Sequence, residues 1–86
     1  MEMKRGQYSV VVIEDEPILL KYIAKKIEQT SDRFYVSGMA LDGEIGLHVI
    51  EEQLPDVVIS DIKMPQMDGL ELARRMRDRF PQTVLL

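Results

Sequence analysis

Apolar positions recur along the chain in two alternating periods. Ser9-Val10-Val11-Val12-Ile13 is β-branched with no polar side and predicts a strand, β1 (9–13), covered on both faces. Pro17 then stands at a first helical position. Leu20, Ile23, Ala24 and Ile27 follow at helical spacing, with Lys21, Lys25, Lys26 and Glu28 on the other side, which predicts α1 from Pro17. Phe34 to Ala40 is a weaker strand pattern, β2. Asp42-Gly43 marks a turn or cap before α2 (44–53), whose apolar face carries Leu47 and Ile50. Leu54-Pro55 stops that helix, and Asp56 to Ser60 forms β3. Asp68, with Glu71 three residues on, resembles a capping box opening α3, which Phe80-Pro81 ends. Thr83-Val84-Leu85-Leu86 begins a further strand, β4.

Strands alternating with helices of this length predict βαβ units with right-handed connections, an α/β fold built on a parallel sheet. No internal repeat or low-complexity segment interrupts the pattern. The 86 residues fit one domain, with residues 1–7 as an N-terminal tail and 8–86 as the folded part.

Composition narrows the function classes. Apolar residues at 45% and charged residues at 30% are the balance of a soluble globular chain, and no apolar run approaches a membrane span. The N-terminus lacks the apolar segment and cleavage site of a signal peptide, so the expected location is the cytoplasm. Zero cysteines exclude disulfides and thiolate metal sites. A net charge of −4 argues against direct nucleic-acid contact and leaves acidic residues free to hold a cation.

In an open parallel sheet, ligands bind along the edge formed by the carboxyl ends of the strands. Asp61 directly follows β3, and Glu14-Asp15 directly follow β1. If those strands are neighbours, three carboxylates converge, and their repulsion calls for a cation. Hard oxygen ligands without His or Cys favour Mg²⁺. A cation there leaves room for a phosphoryl group, which an Asp carboxylate can accept as an acyl phosphate.

Glu14-Asp15, Asp61, Lys63-Met64-Pro65 and Met67-Asp68-Gly69 together resemble the receiver domain of two-component response regulators, over about Tyr8 to Leu86. The wording around Glu16-Pro17, Phe34, Leu54-Pro55-Asp56 and Met67-Asp68-Gly69-Leu70 is most similar to receivers of AraC-type helix-turn-helix regulators. The resemblance implies a doubly wound, flavodoxin-like (CheY-like) fold. With the crossover rule it implies strand order 2-1-3-4, with α1 on one face and α2 and α3 on the other. It also implies Asp61 as phosphoacceptor, with Glu14, Asp15, Asp61 and the backbone carbonyl of Lys63 as ligands of Mg²⁺. A sensor histidine kinase would donate the phosphoryl group, a C-terminal output domain, expected to bind DNA, would respond, and the receiver itself would not be an enzyme. A receiver has five strands and five helices, so the expectation is a chain cut within β4, lacking roughly 35 residues of ordinary elements. Those would carry the Ser or Thr and the Lys that bind phosphoryl oxygens.

Alternatives meet specific objections. An aspartyl-phosphate hydrolase would want an acid two residues after Asp61, where Lys63 stands. A nucleotide-binding domain would want glycines after β1, where Glu14-Asp15-Glu16-Pro17 stands. Asp61 alone reads as a strand-end cap and Glu14-Asp15 alone as a helix N-terminal pair; their combination with the loop motifs favours the site. Arg74, Arg75, Arg77 and Arg79 read as solvated cations at a helix C-terminus, His48 as an inert surface histidine, and the methionines as core or loop filler. The remaining alternative is a truncated, non-phosphorylatable interaction fragment that self-associates through the uncovered surface of β3 and β4.

Overall fold

The computed structural model describes residues 7–61, 67 and 69–86. The order is β1 (Tyr8–Ile13), α1 (Pro17–Thr30), β2 (Phe34–Ala40), α2 (Gly43–Gln53), β3 (Val57–Ser60), α3 (Gly69–Arg79) and β4 (Val84–Leu85). Lys63, Met64-Pro65 and Asp68, to which the sequence assigns a metal ligand, a loop and a cap, lie outside the described residues.

The four strands form one parallel sheet in the order 2-1-3-4, as the crossover rule and the resemblance predict. β1 is central and buried on both sides because its β-branched run offers no polar face: Val10, Val11, Val12 and Ile13 are each at most 1% exposed. Alternation along β1 divides the core. Val10 and Val12 pack with Leu20, Ile23 and Ile27 of α1, and Val57 and Ile59 complete that side. Val11 and Ile13 pack on the other side with Leu47 and Ile50 of α2, Leu72 and Met76 of α3, and Val58. Val58 also lies on this side, covered by α2 and α3, because period-two alternation turns it away from Val57 and Ile59.

Local chemistry accounts for the element ends. Pro17 opens α1 without needing an intrahelical partner for its nitrogen, and the Leu20 N–H already donates to the Glu16 carbonyl at 2.8 Å. The Asp42 carboxylate accepts from the Ile45 N–H at 2.8 Å and caps α2. Leu54 closes α2 in the left-handed region, φ 47° and ψ 59°, its N–H donating to the Ile50 carbonyl. At the amino end of the sheet, the Asp56 carboxylate accepts from the N–H (2.8 Å) and hydroxyl (3.2 Å) of Ser9, locking β3 to β1.

The arginines of α3 are not merely solvated, as the sequence suggests. Arg74 and Arg75 pair with Glu71, Arg75 also reaches Glu44 of α2 at 3.4 Å, and Arg79 reaches Glu51 at 3.3 Å. The cross-helix partners exist because α2 and α3 lie side by side on one face of the sheet. His48 is exposed on α2, as expected. No helix among the described residues is long and apolar enough to cross a membrane.

Candidate functional site

In the β1–β3 ladder, Ile13 lies opposite Ser60. The next residue of each strand is an acid, so Glu14 and Asp61 leave the sheet side by side. Backbone hydrogen bonds hold the exit: the Asp61 N–H donates to the Ile13 carbonyl at 3.4 Å, and the Glu14 N–H donates to the Ala40 carbonyl of β2 at 3.0 Å. Asp15 follows before α1 begins. One carboxylate oxygen from each of Glu14, Asp15 and Asp61 lies within 4.8 Å of the others. The structure thus brings together the acids that the sequence singled out.

The three differ in environment. Glu14 is only 5% exposed, whereas Asp15 and Asp61 face solvent. The Glu14 carboxylate accepts from the N–H of Glu16 at 3.1 Å, a contact that spacing alone did not reveal. Burial pushes the Glu14 carboxyl above its ordinary value; the Glu16 N–H opposes this, while the hydrogen bond between the Glu14 and Asp15 side chains and the charges of Asp61 and Asp15 add to it. A cluster in which one acid resists ionisation because of desolvation and like charge fits a divalent cation, which would relieve both. The donors are all hard oxygens, which suits Mg²⁺.

Residues 10–86 match the response regulator receiver domain, and the chain belongs to that family. It is similar to an uncharacterized response regulatory protein of Vibrio cholerae, 39% identical over 86% of this chain and 28% of that protein. It is also similar to protein-glutamate methylesterase/protein-glutamine glutaminase 2 of Nitratidesulfovibrio vulgaris, 41% identical over 91% of this chain and 21% of that protein. Among solved structures, a DNA-binding response regulator of the LuxR family from Staphylococcus aureus superposes with a TM-score of 0.81 at 30% identity, covering 91% of this chain and 64% of that one. The chain therefore spans less than a third of the length of these two curated relatives.

Proposed function

We propose that Asp61 accepts a phosphoryl group from a phosphohistidine of a sensor histidine kinase, and that Glu14, Asp15, Asp61 and the Lys63 carbonyl hold Mg²⁺ for that transfer. The observation that carries this reading is the meeting of three carboxylates at the carboxyl edge of the sheet, one of them directly after β3. An Asp61 carboxylate oxygen attacks phosphorus, the P–O bond forms as the P–N bond breaks, and the electron pair departs with the imidazole nitrogen. Mg²⁺, when bound, neutralises charge on the transferring oxygens. Glu14 supplies a buried oxygen fixed by the Glu16 N–H, and solvent exposure leaves Asp61 open to a donor.

The phosphorylated receiver then controls an output domain in the cytoplasm. Likeness to a DNA-binding LuxR-family regulator supports a transcriptional output, and likeness to a methylesterase/glutaminase shows that relatives with similar segments include an enzyme. Incubation with a small phosphodonor and Mg²⁺, read by intact mass, tests the acceptor.

A second reading, self-association of the 86-residue chain, rests on one surface. A groove of about 420 Å³ beside α1 is lined by Val10, Ile27, Phe34, Val57, Ile59 and Leu86. Leu86 is 72% exposed, and Val84, paired with Val57 in the sheet, is 54% exposed. Light scattering of this chain decides it.

A further inference from the structure

Two glycines sit one helical turn apart in the first turns of α2, where glycine weakens a helix relative to alanine. Both are buried. A Cβ added to Gly43 would lie 2.7 Å from Cβ of Met67, and one added to Gly46 would run into Cδ1 of Ile13. Ile13 is the residue immediately before Glu14-Asp15. Its carbonyl also accepts the Asp61 N–H, and Met67, 4% exposed, packs in the same core cluster as Ile13. The glycine face of α2 is thus packed directly against Ile13, which adjoins both Glu14 and Asp61, and against Met67 of the same core cluster.

Resting on the metal reading above, we propose that Gly43 and Gly46 are positioning residues: by letting α2 seat closely on Ile13 and Met67, they hold Glu14-Asp15 and Asp61 at the separation that binds a divalent cation. Neither glycine touches the cation. Their contribution is the absence of a side chain at i and i+3 on one helix face, which sets how far α2 stands from the sheet. A thicker α2 would push Ile13 and Met67 away from the helix, and carboxylates displaced by a fraction of an ångström would lose cation affinity.

Gly38 supplies the control. A Cβ on this β2 residue would lie 2.5 Å from Cγ1 of Val49 on α2, a comparable intrusion between sheet and helix that involves neither Ile13 nor Met67. A merely structural role for Gly43 and Gly46 would lower stability on substitution without changing cation affinity, as expected for Gly38.

The test is calorimetric titration of the 86-residue chain with Mg²⁺ alone, alongside urea unfolding to give the folded fraction. Per folded molecule, Gly43→Ala and Gly46→Ala are expected to raise the Mg²⁺ Kd about tenfold, within the range for groups that orient metal ligands, whereas Gly38→Ala lowers stability and leaves Kd unchanged. Adding Ile13→Val to Gly46→Ala removes the obstructing Cδ1 and is expected to restore most of the affinity. Equal Kd in Gly46→Ala and the unsubstituted chain, equal losses in all three single variants, or no recovery on Ile13→Val would overturn the proposal. If Gly43→Ala does not fold, Gly46→Ala and its rescue decide alone. An unsubstituted chain that shows no Mg²⁺ binding would instead refute the metal reading, and the proposal with it.

Discussion

The backbone N–H of Asp61 donates to the carbonyl of Ile13, the residue before Glu14, so a single ladder contact at 3.4 Å sets an exposed acid beside a buried one. Glu14, with its carboxyl held above 4.5 chiefly by burial, keeps its proton more tightly in the folded chain than in the unfolded one. That contribution to stability is fully present below the unfolded value of 4.5 and is lost as pH rises from there through the raised folded value. Glu14→Gln should therefore be more stable than the unsubstituted chain at neutral pH without Mg²⁺, and the gain should vanish in acid. Mg²⁺ should stabilise the unsubstituted chain by linkage and the variant much less. Urea unfolding at both pH values, with and without Mg²⁺, checks each sign.

Asp56 and Ser9 lie at the opposite end of the sheet from Asp61. Asp56→Ala leaves the Ser9 N–H and hydroxyl without their acceptor and should cost about 1–3 kcal/mol. Mg²⁺ affinity should not change, because the lost contacts are a strand's length from the acids. Urea midpoints and Mg²⁺ titration separate the two effects.

Leu54 bears a left-handed conformation at φ 47° with its side chain 67% exposed. Leu54→Gly should stabilise by roughly 0.5–1 kcal/mol, the left-handed penalty less glycine's greater unfolded entropy. For a chain of this size that is a rise of a few degrees in Tm, at about 4–8 °C per kcal/mol. Thermal unfolding followed by circular dichroism reads it directly.

Much of this architecture is legible in the sequence, and the exceptions share a cause. The valine run of β1, Pro17, the Asp42 cap and the Leu54-Pro55 stop act locally, so reading along the chain finds them. The three acids are legible because strand ends in a parallel sheet share an edge. A register shift between Val10 and Val11 leaves Ser37 of β2 without a counterpart in β1, and nothing in the β2 sequence foretells it. Burial of Glu14 but not Asp15, and the pairing of Arg75 with Glu44 and Arg79 with Glu51, likewise depend on which helix lies across a gap. Spacing along the chain carries no record of those distances.

The edge strand β4 makes its own prediction. Thr83 to Leu86 carries no charge that would discourage strand pairing, and Val84 is 54% exposed. If the 86-residue chain associates through this edge, Val84→Lys should shift it to monomer at micromolar concentration without changing Mg²⁺ affinity. Light scattering after size exclusion measures the shift; a chain already monomeric would remove the self-association reading.

Phosphorylation of Asp61 is the central claim, and intact mass after incubation with a small phosphodonor tests it most directly. With Mg²⁺, the unsubstituted chain should gain the mass of one phosphoryl group, hydroxylamine should remove it as expected of an acyl phosphate, and both Asp61→Asn and chelation of Mg²⁺ should abolish the gain. Labelling of Asp61→Asn to the same extent, or an unsubstituted chain that takes up no phosphoryl group while binding Mg²⁺, would contradict the account.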